Sequence, residues 1–164
     1  MRITEVEAIL LRGDQAYGSA AGGQEAIDNG DWQLVVRVAT DEGLVGWADV
    51  ETLAPAAAAI ISGQGMAILG FKTLSELLIG ENPLDVERLW DKLYVGSAYY
   101  GRRGVAMHCI SAIDNCLWSI RAEAAGMSLA RLLGGRRRDK IMAYASTLFR
   151  STPEGMAEAA RGYA

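Results

Sequence analysis

The side chains best suited to metal binding or nucleophilic chemistry follow one another closely: His108, Cys109 and Cys116. The two cysteines are about two helical turns apart, or roughly 10 Å, which is too far for a disulfide. No Cys-x-x-Cys motif and no second histidine accompanies them, so the sequence lacks a zinc-binding pattern. We therefore predict that both cysteines are small core residues.

A second group of chemically capable residues is the aromatic and basic run Tyr99–Arg103, which reads YYGRR. Two tyrosines beside two arginines could grip an anionic ligand, but an interface or a solvated turn is the favoured interpretation. The basic cluster Arg136–Arg138 with Lys140 follows a predicted helix, where positive charge complements the helix dipole. It predicts a solvated patch rather than a phosphate or nucleic-acid site.

A long predicted helix from Gly104 to Gly126 carries the histidine and both cysteines. Its apolar residues recur at spacings of three and four and mark one continuous face: Val105, Cys109, Ala112, Ile113, Cys116, Leu117, Ile120 and Ala124. Gly126 suits the left-handed conformation that ends a helix. A shorter helix follows, with Ser128 as its N-cap and Gly134-Gly135 as its stop.

Three predicted strands precede these helices. The first, Arg2–Arg12, has apolar residues on both faces, Ile3, Ile9 and Leu11 on one and Val6 and Leu10 on the other. The second and third strands, Gln33–Val38 and Leu44–Val50, flank a hairpin turn in which Gly43 supplies the positive φ angle. Together they predict a small antiparallel meander.

Other segments complete the expected organisation. Asp14–Asp31 is rich in glycine, alanine and acidic residues and is expected to be a mobile loop. Helices are predicted to start at Pro55 and after Asn82-Pro83, and the latter helix carries core residues. These are Val86, Leu89, Trp90 and Leu93. Strand character at Ile141–Thr147 is followed by a helix that Thr152 caps and Pro153 opens.

Composition places the chain among ordinary globular proteins, with 51% hydrophobic and 22% charged residues in 164. A net charge of −4 gives no general attraction for nucleic acid. No run of 18 apolar residues exists, and the N-terminus carries acidic residues unlike a signal peptide. We expect a cytoplasmic protein that binds neither nucleic acid nor a membrane.

Three motifs carry a resemblance to a known family. They are A-I-D-x-x-L-W-x-x-x-x-x-x-x-G from Ala112 to Gly126, S-L-x-x-L-L-G-G from Ser128 to Gly135, and Tyr144-Ala145-Ser146. In combination they resemble the enolase superfamily, in its mandelate racemase and muconate lactonizing enzyme branch. The resemblance covers nearly the whole chain.

The resemblance implies an α+β fold in two parts. Residues 1–140 look like the N-terminal capping domain, a three-stranded antiparallel meander with a helical bundle, and residues 141–164 look like the first β/α unit of a TIM-type barrel. In this superfamily, bases on the barrel abstract a proton α to a carboxylate while three carboxylates hold Mg²⁺ against the enediolate. All those residues would lie downstream of Ala164. The chain is thus expected to be a fragment or a truncated member that, by itself, has no catalytic residue, binds no metal and is inactive.

Substrate specificity in this superfamily comes from two cap loops, which correspond here to Asp14–Asp31 and Asp49–Ala54. The side chains in these loops best able to make a directional contact are Tyr17, Glu51 and Thr52. Ser146 is a fourth candidate, because it would end the first barrel strand, where active-site residues of TIM barrels lie. The alternative for Ser146 is a strand-end hydroxyl that bonds only to backbone.

His108 and Asp114 are predicted to be structural. In the superfamily a histidine base comes from the barrel, not from the cap. Asp114 and Trp118 are neighbours at (i, i+4) and are expected to organise the packing of the long helix.

Two hypotheses about function follow. The first is a Mg²⁺-dependent acid-sugar dehydratase, or a racemase or cycloisomerase, whose partners are a hydroxy-carboxylate substrate, the rest of the barrel and further copies in a homo-oligomer. The polar loops around Tyr17 and Glu51 suit a polyol. The alternative is a stand-alone, non-catalytic binding or oligomerisation module whose apolar surfaces another chain covers. In either case the tail Ile141–Ala164 is expected to be mobile or paired with another copy.

Overall fold

The computed structural model describes residues 1–12, 32–65, 70–101, 103–144 and 152–162. The chain divides into two compact units, of which the first comprises Met1–Leu11 and Trp32–Gly135 and the second comprises the remaining residues. The described elements are β1 (Ile3–Arg12), β2 (Trp32–Thr40), β3 (Val45–Val50), α1 (Ala54–Ser62), α2 (Leu74–Leu78), α3 (Val86–Gly96), α4 (Val105–Ala124), α5 (Leu129–Leu132) and α6 (Pro153–Arg161). Among them, no helix combines the length and apolar character needed to span a membrane.

The three strands form one sheet in the order β1-β2-β3, which confirms the predicted meander. Strands β2 and β3 are antiparallel, in a register that runs from Leu34 opposite Val50 to Ala39 opposite Val45. Gly43 has a φ angle of 84° and donates its N–H to the carbonyl of Thr40 at 3.2 Å. The predicted hairpin is therefore confirmed, and the predicted loop Asp14–Asp31 lies outside the described residues.

Strand β1 is buried only in its first half. Ile3 and Val6 are 1% and 6% exposed, whereas Leu10 and Leu11 are 39% and 46% exposed. Backbone hydrogen bonds between Ile3 and the turn after α2 hold the first half, with Ile3 N–H donating to Glu81 and Gly80 N–H donating to Ile3. Ile3 and Val6 lie on opposite faces of the strand, so the predicted partial burial on both faces is confirmed for its first half, whereas Leu10 and Leu11 in its second half are exposed.

Helix α4 lies against β3, β2, α1 and α3 and is the centre of the first unit. Its C-terminal end is closed as predicted, by Gly126 at a φ angle of 65°. Met127 N–H donates to the carbonyl of Ala122 at 3.0 Å and Gly126 N–H to that of Glu123 at 2.9 Å, a Schellman motif. Helix α5 ends in the same way at Gly134 and Gly135, again as predicted.

The buried face of α4 is wider than the predicted stripe. Six of the eight predicted residues are buried, but Val105 is partly exposed and Ala124 is exposed. Ile110, outside the predicted stripe, is fully buried. Because α4 contacts the sheet on one side and α1 and α3 on another, more of its circumference is covered than a single stripe allows.

Both cysteines are core residues, as predicted. Each is fully buried, and each thiol donates to a carbonyl oxygen at 3.7 Å, Cys109 to Ala57 and Cys116 to Val36. Burial raises the pKa of the Cys109 thiol to about 11 and that of the Cys116 thiol to about 12. These thiols are therefore protonated and unsuited to nucleophilic or metal chemistry.

The helices around α4 follow local signals. Pro55 lies in the first turn of α1 as predicted. Helix α3 begins at Val86, after a turn in which the Asn82 side chain accepts from Leu84 N–H at 3.1 Å. Three of its four predicted core residues are buried, and Trp90 packs against them half-exposed. Helix α2 was not anticipated, although Thr73 and Glu76 form the capping box that starts it.

The described part of the second unit contains α6, which Thr152 caps by accepting from Gly155 N–H at 3.1 Å, as predicted. The predicted strand at Ile141–Thr147 is absent over 141–144, and 145–147 lie outside the described residues. Ile141 is 84% and Met142 96% exposed. A barrel strand needs a hydrogen-bonded neighbour, and none pairs with 141–144 within the described ranges. The predicted boundary at residue 140 stays a prediction.

Candidate functional site

Glu51 and Thr52 lie in a short loop, residues 51–53, that joins β3 to α1. The loop is fixed at both ends, because Val50 is 5% exposed and Ala54 is 2% exposed. Thr52 N–H donates to the carbonyl of Val50 at 3.0 Å, which continues the turn out of the strand. Glu51 is exposed and Thr52 is half-buried. A carboxylate and a hydroxyl are thus presented at the surface from a firmly anchored loop.

His108 on α4 reaches this loop. Its Nδ1 lies 3.2 Å from the carbonyl oxygen of Glu51, a hydrogen bond between residues 57 positions apart. The sequence predicted a structural role for His108, and the contact is consistent with that role. It also makes the loop's geometry depend on α4, which local patterns in the sequence could not reveal.

Of the four predicted site residues, the structure places two. Glu51 and Thr52 are adjacent, and His108 joins them through the backbone of Glu51. Tyr17 and Ser146 lie outside the described residues. Their assignment as substrate-binding residues stays a prediction, as does that of Glu51 and Thr52.

The tyrosines of the run at 99–103 are engaged within the first unit. Tyr99 stacks on Phe71 with ring centroids 4.2 Å apart, and the Tyr100 hydroxyl donates to the carbonyl of Lys72 at 2.9 Å. Burial raises the pKa of Tyr100 above its ordinary value. These contacts favour a structured turn over an anion grip.

A pocket of about 450 Å³ opens beside these rings. Its lining residues are Ala59, Ile60, Gln64, Gly65, Phe71, Lys72, Thr73, Tyr99 and Tyr100. The walls are mainly apolar, and neither Glu51 nor Thr52 belongs to them. The pocket is therefore separate from the loop that the resemblance identifies with substrate.

Several charged side chains among the described residues form ion pairs. Arg37 bonds to Glu5 and Glu7, with Nη1 at 2.5 and 2.7 Å from their carboxylates. Hydrogen bonds from Lys92 and then Arg88 hold the pKa of Glu81 below its ordinary value. Within the described ranges, no three His, Cys, Asp or Glu side chains gather closely enough to hold a metal ion. These residues do not fit a Mg²⁺ site.

Asp114 has a different environment. Burial, with a smaller contribution from Glu87, raises the pKa of its carboxyl group, and a hydrogen bond with the Trp118 side chain acts in the opposite direction. The predicted pairing of Asp114 with Trp118 along α4 is confirmed. The aspartate is half-buried, and its role in packing the long helix stays a prediction.

The arrangement of a meander, a long central helix and a glycine-capped short helix matches a known domain. The family model for the N-terminal domain of mandelate racemase and muconate lactonizing enzyme matches residues 29–134, well over half of the chain. The chain belongs to the mandelate racemase/muconate lactonizing enzyme family. The resemblance inferred from the motifs around α4, and the α+β fold that it implied, are confirmed.

Relatives in this family include enzymes that act on acid sugars. The D-mannonate dehydratase of Rhizorhabdus wittichii is 38% identical over 130 residues, which cover 78% of this chain and 30% of that enzyme. The D-galactarolactone cycloisomerase of Agrobacterium fabrum is 35% identical over 154 residues, covering 92% of this chain and 36% of that enzyme. The chain thus spans about a third of the length of these relatives.

A solved structure from the family shows the same fold. The mandelate racemase/muconate lactonizing protein of Paracoccus denitrificans, complexed with magnesium, superposes with a TM-score of 0.62 at 25% identity. The match covers 84% of this chain and 31% of that protein.

Proposed function

We propose that this chain is the capping, substrate-specificity part of an acid-sugar dehydratase of the enolase superfamily. The observation that supports this most strongly is the 38% identity to a D-mannonate dehydratase across 78% of the chain. The whole enzyme would abstract the proton α to the substrate carboxylate and expel a β-hydroxyl group as water. A 2-keto acid would be released.

The cap's contribution is recognition of the polyol. An acid sugar carries several hydroxyl groups, each able to donate a hydrogen bond, and the Glu51 carboxylate accepts such bonds. The Thr52 hydroxyl can donate or accept. Because the loop at 51–53 lies between a buried strand end and a buried helix start, it would hold these groups in fixed positions.

Magnesium belongs to the proposal only as a property of the whole enzyme. When bound in such an enzyme, Mg²⁺ stabilises the charge that develops as the α-proton leaves. The described residues of this chain do not supply a ligand set for it. The chain by itself is proposed to be inactive.

Cycloisomerisation is the second candidate reaction, because the D-galactarolactone cycloisomerase matches 92% of the chain. The non-catalytic module also remains a hypothesis. Large apolar side chains are exposed in each unit, Met127 and Leu133 in the first and Ile141 and Met142 in the second. Such side chains need cover from the rest of the enzyme or from another copy. Homo-oligomerisation and a cytoplasmic location stay predictions.

The test uses a full-length protein that contains this sequence. In the presence of Mg²⁺, it would be incubated with D-mannonate, D-galactonate or D-galactarolactone in separate reactions. The 2-keto product of each reaction would be measured. Release of a 2-keto acid from a sugar acid, abolished by a chelator, is the expected result. Turnover of the lactone alone would favour the cycloisomerase, and no turnover of any acid sugar would refute the proposal. Residues 1–164 assayed in parallel should give no product.

A further inference from the structure

The hydrogen bond between His108 and the loop at 51–53 fixes the state of the ring. A carbonyl oxygen only accepts, so the bond to Glu51 at 3.2 Å requires Nδ1 to carry the hydrogen. In a neutral imidazole the other nitrogen, Nε2, then holds a lone pair and can only accept. Helix α4 therefore brings an acceptor next to the loop that carries Glu51 and Thr52.

The loop needs this contact to be well defined. Helix α1 begins after Leu53, which is 68% exposed, and no side chain caps that N-terminus. Backbone hydrogen bonds hold the loop to its own flanks, Thr52 to Val50 and Ala57 to Leu53. The bond from His108 is the described side-chain contact that ties it to another element.

His108 is also available to a ligand. The side chain is exposed, although it lies on a helix whose opposite face forms the core. Within the described residues, the Nδ1 bond is the one recorded for His108, which leaves Nε2 open.

We propose that His108 is a substrate-binding residue of the cap: Nδ1–H positions the loop through Glu51, and Nε2 accepts a hydroxyl group of the acid sugar. The proposal rests on the proposed function for its substrate class. It places three hydrogen-bonding groups, from Glu51, Thr52 and His108, on one patch built from β3, α1 and α4. Such a patch discriminates between polyols by the positions of their hydroxyl groups.

The first experiment measures the tautomer and needs no substrate. His108 is the single histidine of residues 1–164. Its two ring nitrogens therefore give unambiguous signals in a long-range ¹H–¹⁵N correlation spectrum of these 164 residues labelled with ¹⁵N. The spectrum is recorded at a pH above the range in which histidine ordinarily titrates. We expect protonated Nδ1 and unprotonated Nε2. The reverse assignment, or a mixture of tautomers, would overturn the inference.

The second experiment separates positioning from binding, in the full-length enzyme with D-mannonate and D-galactonate as probes. His108→Asn keeps an N–H near the position of Nδ1 but has nothing at the position of Nε2, whereas His108→Leu lacks both. We expect His108→Asn to raise KM roughly 3- to 10-fold, the loss of one neutral hydrogen bond, with kcat little changed. His108→Leu should raise KM further and shift the backbone NMR signals of Glu51 and Thr52. Ser111→Ala, on an exposed position of α4, is the matched control.

The outcomes distinguish the two claims. If the His108→Asn variant has the same KM as the parent enzyme, the histidine only positions the loop, and the proposed substrate contact is refuted. If the parent enzyme turns over no sugar acid, the proposed function fails and the substrate contact fails with it. The Nδ1–H tautomer and the loop shift would in that case still stand as measured properties of the cap.

Discussion

Gly46→Ala would test the packing that holds the cap together. Gly46 lies on β3 where the strand crosses α4, and its φ angle is not in the left-handed region. The backbone there would accept any residue, so the need for glycine is purely steric. A Cβ atom at this position would lie 2.8 Å from Cys116 Cα and closer still to the Cys116 carbonyl oxygen.

The cost follows from the distance. To bring the contact with Cys116 Cα to an ordinary 3.4 Å, β3 and α4 must separate by at least 0.6 Å, and the closer carbonyl oxygen requires more; both clashing partners are backbone atoms that cannot rotate away. A gap of about 0.5–1 Å forfeits a quarter to a half of the dispersion energy of each contact across it. Replacing glycine with alanine also gains about 0.4–1 kcal/mol through the unfolded chain. Overpacking of a well-packed core typically costs about 1–3 kcal/mol and dominates here, so we expect a net loss of about 1–2.5 kcal/mol.

Urea titration followed by circular dichroism and tryptophan fluorescence measures this loss. The urea midpoint should fall while the slope of the transition stays unchanged. Gly162→Ala is the control, because its backbone is right-handed helical and its Cβ would meet Ala159 at an ordinary 3.4 Å. If Gly46→Ala were as stable as the control, the close approach of β3 to α4 would be refuted.

Three further predictions concern pH and capping. The pKa values of Cys109 and Cys116 are raised from 9.0 to about 11 and about 12, so above pH 9.0 the unfolded thiols lose their protons while the folded ones keep them. The stability that these thiols contribute is therefore lost as the pH rises from 9.0 towards about 12. The free energy of unfolding from urea titrations should fall more steeply there than in a double alanine variant at both positions. Thr73→Ala should lower that free energy by about 1 kcal/mol by removing the N-cap of α2, and Ser111→Ala, at an exposed position of α4, should cost less. The carboxyl group of Asp114 also has a raised pKa, so its stabilisation is lost as the pH rises above 3.8. Asp114→Asn should make the pH profile of stability flatter, and a profile unchanged by the substitution would contradict the shift.

Local chemistry explains which parts of the fold could be predicted. Gly43, Gly126 and Gly134 adopt positive φ angles because only glycine does so at little cost, and a short sequence reveals that need. Ser128 and Thr152 cap their helices for an equally local reason. The capping box at Thr73 has an equally local signal, the sequence T-L-S-E, which predicts the start of α2.

Tertiary contacts explain what could not be predicted. Ile110 is buried because α1 and α3 cover a second side of α4, which a single apolar stripe does not show. Residues 141–144 have the composition of a strand, but a strand forms only where a neighbour supplies hydrogen bonds. The bond from His108 to Glu51 joins residues 57 apart, and no local pattern encodes it. The family resemblance, and no local pattern, identified Glu51 and Thr52 as candidate substrate-binding residues, and that role stays a prediction.

The most direct test of the account is the specificity of a full-length enzyme that carries Glu51→Ala. The quantity to measure is the ratio of kcat/KM for D-mannonate to that for D-galactonate, with Asp91→Ala on the exposed face of α3 as the control. A hydrogen bond to the Glu51 carboxylate that one of these substrates makes and the other does not is worth about 1.5–3 kcal/mol, so the ratio should change roughly 10- to 150-fold in Glu51→Ala. The control should keep the parent ratio. If Glu51→Ala also kept the parent ratio, the loop at 51–53 would not select the substrate, and the central claim would be contradicted.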